Sequence, residues 1–168
     1  MATILSKSAV ASSTYIPSFP LTYGLSVSRN VATLTPPTKA RIVLLKGLDQ
    51  HGLLFYTNYE SPKGRQLAEN PHAAIVIDWP HLERQVRIEG TVSQVPREMS
   101  ESYFHSRPRG SQIGAAISSQ SSVVPGREYL ESAAAALEQR LQGGDVPLPD
   151  HWGGYRLHPT VCEFWQGR

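Results

Sequence analysis

Two apolar runs, Ile42 to Leu45 and Leu53 to Tyr56, flank a turn cluster containing Asp49 and Gly52, and this pattern predicts a β-hairpin with a loop of several residues. Neither run alternates cleanly with polar residues, so both strands are expected to be covered on both faces. Arg41 and Lys46 bound the first strand, and Thr57 and Asn58 end the second, which puts cationic and hydroxyl groups at the rim of a buried sheet. Such a rim suits an anion. Ser61 is a good helix cap and Pro62 fits the first helical position, so a helix is expected from here through Leu67 to about Asn70, before Pro71. Its first turn carries Lys63, where the helix dipole favours negative charge. Two readings stand side by side. A bound phosphate would use both the free N–H groups and the lysine; a solvated lysine would cost only a few tenths of a kcal/mol, up to ~1.

The rest of the chain extends this β-rich pattern. Residues 1 to about 28 mix Ser, Thr, Pro and isolated apolar residues without a period, so residues 1–29 are expected to be a disordered leader and 30–168 one domain. Val31 to Thr35 reads as a short strand ended by Pro36 and Pro37, forming a three-strand meander with the hairpin. His72 to Trp79 reads as a buried strand, and Glu83 to Val95 as a longer strand with one apolar and one polar face. Short connections and a single short intervening helix favour an α+β protein, mainly β, whose antiparallel sheet closes into a small barrel.

The second half is more helical. Pro96 to His105 is helix-like, Ser111 caps a further helix, and Leu130, Ala133, Ala134, Leu137 and Leu141 form the stripe of an amphipathic helix ended by Gly143 and Gly144. Tyr103, Arg107 and Ser111 recur every four residues and offer a phenol, a guanidinium and a hydroxyl, which suits a second phosphate site. A solvated corner at Arg107 and Arg109 is the other reading. Trp152 to His158 and Val161 to Gln166 are expected to be two final strands, with Trp165 a core or dimer contact.

Composition narrows the function classes. A formal net charge of +2 with 18% charged residues lacks the basic excess of a dedicated nucleic-acid binder, so any anion site should be local. No run approaches the roughly 20 apolar residues that span a bilayer. The single cysteine, Cys162, has no metal-ligand spacing around it and reads as a core residue of a protein in a reducing compartment. A cytoplasmic location is expected. The first acidic residue is Asp49, however, and a Ser/Thr-rich, acid-free leader is also compatible with organelle targeting.

Motifs along the chain then point one way. Arg-Ile-Val-Leu-Leu-Lys at 41–46, Phe-Tyr-Thr-Asn-Tyr at 55–59, Glu-Arg-Gln-Val at 83–86, Tyr-Phe-His-Ser-Arg-Pro-Arg-Gly-Ser-Gln-Ile-Gly at 103–114, Gln-Ser-Ser at 120–122, Val-Pro-Leu-Pro at 146–149, Trp-Gly-Gly-Tyr-Arg at 152–156 and Glu-Phe-Trp-Gln-Gly at 163–167 resemble the pyridoxine/pyridoxamine 5'-phosphate oxidase family. The resemblance covers about residues 30–168. It implies an FMN-binding split β-barrel, a homodimer with the flavin at the subunit interface, and oxidation of pyridoxine or pyridoxamine phosphate to pyridoxal phosphate by O2, in vitamin B6 salvage.

By the same resemblance Arg41, Ile42, Val43, Leu44, Leu45, Lys46, Tyr56, Thr57, Lys63 and Gln85 would hold FMN, with Gln120, Ser121 and Trp165 completing the cofactor site. Lys46, Tyr103, Arg107 and Ser111 would hold the substrate phosphate. No metal is implied, and no side chain is singled out as an acid or base, because the flavin carries the redox step. Pro62 stands where the family usually has Arg or Lys. The residues before Arg41 are more irregular than the family's first hairpin, and the family continues past Trp-Gln-Gly into a strand with Arg-x-His. Two other readings follow: an FMN or pyridoxal-phosphate binder with little turnover, and a relative acting on another ring system, as the phenazine-pathway flavoproteins do. The Tyr103, Arg107 and Ser111 set argues against the latter.

Overall fold

The structure, a computed structural model, describes residues 28–33 and 40–167. Strands β1 (Ser28–Thr33), β2 (Gly47–Asp49), β3 (Gly52–Asn58), β4 (His72–Trp79), β5 (Arg84–Gln94) and β6 (Trp152–Gln166) form one six-stranded sheet in the order β1-β4-β5-β6-β3-β2. Helix α1 (Pro62–Glu69) joins β3 to β4, and α2 (Arg97–His105), α3 (Arg109–Ile117) and α4 (Arg127–Leu141) lie between β5 and β6. The β1–β4, β2–β3 and β4–β5 pairs are antiparallel, as the α+β expectation required. None of the helices among the described residues is long and apolar enough to cross a membrane.

Several sequence expectations are corrected. The hairpin is tighter than a several-residue loop: Asp49 pairs with Gly52, leaving only Gln50 and His51 between them. Asp49 Oδ1 accepts the His51 N–H at 2.7 Å, and Gly52 takes a φ of 133° that a side chain would resist. Arg41 to Lys46 is not a regular strand. It contributes an isolated bridge at Ile42 and a bond from Lys46 N–H to Leu54 O at 2.8 Å, while Ile42 and Leu44 are 68% and 65% exposed.

The meander expectation also fails, because β1 pairs with β4, from Ser28 opposite Asp78 to Thr33 opposite Ala73. The strand begins at Ser28, inside the expected leader. Apolar β4, with Ala73, Ile75 and Ile77 buried, would otherwise leave an unpaired edge, and β1 covers it. The two final strands are one, β6, which runs through Pro159. Its neighbours leave room for this: a Cβ on Gly90 would lie 1.9 Å from His158 O, and one on Gly52 would lie 2.0 Å from Leu157 O. Cys162, on β6, is half-buried rather than in the core.

Two compact units emerge. One holds the described residues up to Phe55, Gln66–Ser93 and those from Tyr155 on; the other holds Tyr56–Arg65 and Gln94–Gly154. In the first, Leu53, Phe55, Leu67, Ile75, Ile88, Tyr155 and Leu157 are buried, and the Phe55 and Tyr155 rings stack at 5.5 Å. Arg156 ties β6 to the hairpin turn through Asp49 at 2.7 Å. In the second, Phe104, Ile113, Leu137, Val146, Leu148 and Trp152 make the core. The predicted α4 stripe faces it, with Leu137 buried and Leu130, Ala133, Ala134 and Leu141 half-buried. Gln142 in the left-handed region and Gly143 close α4, as the glycine pair suggested.

Candidate functional site

In the second unit, the start of α1 gathers one polar cluster. Ser61 caps the helix, its Oγ accepting the Gly64 N–H at 3.2 Å, and Pro62 occupies the first helical position. The next residue, Lys63, is only 7% exposed, so the solvated-lysine reading does not hold. Its Nζ donates to Thr57 Oγ1, and Thr57 in turn donates to Gln120 Oε1 at 3.2 Å. Thr57 and Lys63 therefore meet Gln120, 63 residues beyond Thr57, beside the first turn of a helix. Ser121 follows with a φ of 68°, and Asn58 Nδ2 holds the preceding loop through Ser118 O at 3.4 Å. A buried ammonium, a hydroxyl and a helix N-terminus have the donor chemistry of a phosphate site.

A second cluster is built on an aromatic stack in the same unit. Tyr56 and Tyr103 stack at 4.0 Å, Tyr56 and Trp152 at 5.7 Å, and Tyr103 and Trp152 at 6.2 Å. The Arg107 guanidinium lies over Trp152 at 4.7 Å and near Phe104 at 5.8 Å. Arg107 does not continue the Tyr103 helix face, because α2 ends at His105. The turn between α2 and α3 brings it to Trp152 instead. The residue is half-buried, and its Nη1 is buried without a hydrogen-bond partner among the described residues, which favours a receptor over a solvated corner. An unsatisfied buried donor costs roughly 1–3 kcal/mol, and an anion would remove that cost. Burial lowers the Arg107 pKa from its ordinary value, opposed by the Tyr103 phenol, yet an arginine keeps its charge at neutral pH. Ser111 is exposed on the first turn of α3. Arg109 serves the fold instead, bonding Glu138 at 2.7 Å and Gly144 O at 2.8 Å and so tying the start of α3 to the end of α4. A groove of about 640 Å³ along α2 is lined by Tyr56, Pro96, Met99, Ser102, Tyr103 and Ser106.

The remaining predicted residues belong to the first unit. Arg41 Nη2 donates to Gln66 Oε1 on α1 at 2.7 Å. Ile42, Leu44 and Lys46 are exposed, and Val43 and Leu45 are half-buried. Gln85 sits on β5 opposite Asp78, and Trp165 lies near the end of β6; both are half-buried. Sequence reasoning overlooked Trp152, whose ring supports Arg107, and Gln112, which bonds the turn beneath it. Both lie inside motifs already quoted. What hid them is that their roles depend on contacts across 45 and 5 residues of sequence, respectively, rather than on a local period. Among the described residues no group of three His, Cys, Asp or Glu could hold a metal.

Comparison with known proteins gives a consistent picture. The family described as "Pyridoxamine 5'-phosphate oxidase" matches residues 28–141. A pyridoxine/pyridoxamine 5'-phosphate oxidase of Rhodopirellula baltica is 57% identical over 130 residues, 77% of this chain and 58% of that protein. A pyridoxine-5'-phosphate oxidase of Bos taurus is 54% identical over 140 residues, 82% of this chain and 54% of that protein. The chain thus spans less than two thirds of the length of these relatives. Among solved structures, PhzG from Burkholderia lata 383, in complex with tetrahydrophenazine-1-carboxylic acid, superposes with a TM-score of 0.76 at 28% identity, over 83% of this chain and 69% of that one. A pyridoxamine 5'-phosphate oxidase-related, FMN-binding protein from Nostoc punctiforme shares the fold, with a TM-score of 0.65 at 14% identity over 82% and 74% of the two chains. The fold is the expected antiparallel split barrel with helices.

Proposed function

Because the chain belongs to the pyridoxamine 5'-phosphate oxidase family, we propose that it uses FMN to oxidise pyridoxamine or pyridoxine 5'-phosphate to pyridoxal 5'-phosphate, with O2 as acceptor, in vitamin B6 salvage. The observation that carries the reading is Arg107, a half-buried side chain held over Trp152 beside Tyr103, with its Nη1 buried and unsatisfied among the described residues. It is a phosphate receptor next to an aromatic stack. Lys63, Thr57 and Gln120, with the first turn of α1, fit the phosphate end of FMN by their donor chemistry. Arg41 to Lys46, Tyr56, Gln85, Ser121 and Trp165 complete the cofactor set by family resemblance, as Lys46 and Ser111 complete the substrate set. Held by these residues, FMN would supply a two-electron acceptor for the substrate and a route for those electrons to O2.

The protein's own part is binding and orientation. Arg107 and the Tyr103 hydroxyl grip the substrate phosphate and so fix the position of the ring attached to it, which lowers the entropic part of the barrier. Exposed Ile42 and Leu44 offer an apolar face to a second copy of the chain, and the assembly is a homodimer. Light scattering that finds a monomer with FMN bound would overturn the dimer.

Anaerobic mixing of the FMN-loaded chain with pyridoxamine 5'-phosphate tests the function. Bleaching of the flavin spectrum and formation of pyridoxal 5'-phosphate are expected. A flavin that stays oxidised while the phosphate ligand binds would assign a binding role instead. Reduction by a reduced phenazine carboxylate but not by pyridoxamine 5'-phosphate would move the chain to the chemistry suggested by the PhzG likeness.

A further inference from the structure

The turn that carries Arg107 has carbonyls to satisfy and few backbone donors for them. Helix α2 ends at His105 and α3 begins at Arg109, so the C=O groups of His105 and Arg107 lie beyond the regular helical pattern. Gln112, on α3 and only 9% exposed, supplies what is missing. Its Nε2 donates to Arg107 O at 2.8 Å and to His105 O at 3.3 Å, and its own N–H donates to Pro108 O at 3.1 Å. One residue therefore binds the last residue of α2 and two of the three residues that join it to α3.

The consequence falls on Arg107. Trp152 constrains the guanidinium from one side, but a long side chain is only as well placed as the backbone from which it starts. We propose that Gln112 is a positioning residue for the phosphate site: by clamping the α2–α3 turn it aims Arg107, and so sets the preference for phosphorylated over unphosphorylated pyridoxine-type ligands. This rests on the function proposed above. The residue type matters. Glutamate would turn a carboxylate toward two carbonyl oxygens, methionine fills the space but donates nothing, and asparagine is one methylene too short to span both acceptors.

The test uses 4-deoxypyridoxine 5'-phosphate and 4-deoxypyridoxine, which lack the group to be oxidised, with binding to the FMN-loaded full chain followed by calorimetry. Gln112→Met should weaken the phosphorylated ligand about 10-fold, the size of a lost hydrogen bond plus an unsatisfied acceptor. The unphosphorylated ligand and FMN should each change less than about twofold, because neither uses Arg107. In an Arg107→Ala background the Gln112→Met change should have no further effect on the phosphorylated ligand. Equal losses for both ligands, or an undiminished loss in that background, would reduce Gln112 to a structural role and overturn the proposal. If Gln112→Met does not fold, Gln112→Asn reads the same ratio of affinities. A wild-type chain without preference for the phosphorylated ligand would remove the function and this inference together. A preference lost in Arg107→Ala but intact in the Gln112 variants would leave the function standing and remove the inference alone.

Discussion

The Arg107 guanidinium carbon lies 4.7 Å from the centroid of the Trp152 ring, while Arg107 Nη1 is buried with no hydrogen-bond partner among the described residues. A cation over an indole contributes about 0.5–2 kcal/mol, depending on desolvation, and a buried unsatisfied donor costs about 1–3 kcal/mol. The two nearly offset each other. The arrangement thus holds the charge in place without neutralising it. A carboxylate partner would have stabilised the side chain more, at the expense of competing with an incoming phosphate.

This geometry predicts that Arg107→Lys is not conservative. The lysine keeps the charge but loses the planar fork and the flat contact with Trp152. Affinity for 4-deoxypyridoxine 5'-phosphate should fall by about 1.5–3 kcal/mol, with FMN binding unchanged. Titration calorimetry decides it: an unchanged affinity would mean that a point charge is enough.

Gly52 should be among the least replaceable residues of the hairpin. Its φ of 133° disfavours any side chain, and an added Cβ would lie 2.0 Å from Leu157 O, a backbone atom that cannot swing aside. Gly52→Ala should lower stability by about 2–4 kcal/mol, combining strain and overpacking. Urea unfolding measures this, and a loss below about 1 kcal/mol would show that the strands separate easily.

Where a feature rests on neighbours in sequence, it was legible. Ser61 and Pro62 announced α1, the Gly143–Gly144 pair marked the end of α4, and Asp49 and Gly52 marked the hairpin turn. Pairing between distant segments was not legible. Nothing local in Val31 says that it faces Ile75, and Pro159 reads as a strand break until Gly90 is seen opposite it. The site divides along the same line. Lys63 and Arg107 could be suspected from residue type and position, whereas the burial of Lys63 and of Arg107 Nη1, which favours a receptor over a solvated charge, depends on the packing of Thr57, Gln120 and Trp152.

Tyr59 should give the protein an alkaline weakness. Burial raises its phenol above the ordinary 10.0, while Ser100, Arg97 and Gly154 pull the other way, and its hydroxyl donates to Gly154 O at 3.2 Å. The folded state therefore holds this proton more tightly than the unfolded chain. The stability it contributes is complete below the unfolded pKa and is lost as pH rises through the folded one. Urea unfolding of the wild type and Tyr59→Phe between about pH 8 and 11 should show a steeper alkaline fall in the wild type. Parallel curves would mean that the phenol titrates alike in both states.

Lys63 offers the clearest separation of function from stability. An ammonium 7% exposed at the first turn of α1 has lost most of its hydration, and it faces the positive end of the helix dipole. Thr57 Oγ1, which accepts from it, is a neutral partner. Replacement by an apolar chain of similar length should thus cost the empty protein little, since removing the buried charge also removes its desolvation cost. Binding should respond in the opposite way, because a charge-assisted bond to phosphate is worth about 1.5–3 kcal/mol. Lys63→Met is therefore expected to leave the urea midpoint of the FMN-free chain unchanged or raised, while the Kd for FMN rises roughly 10- to 150-fold, as equilibrium dialysis with flavin fluorescence would report. Riboflavin, which lacks the phosphate, supplies the control: its affinity should be the same for both proteins. A Lys63→Met chain that unfolds earlier and binds FMN as well as the wild type would make the lysine a structural residue and would move the phosphate end of FMN away from α1.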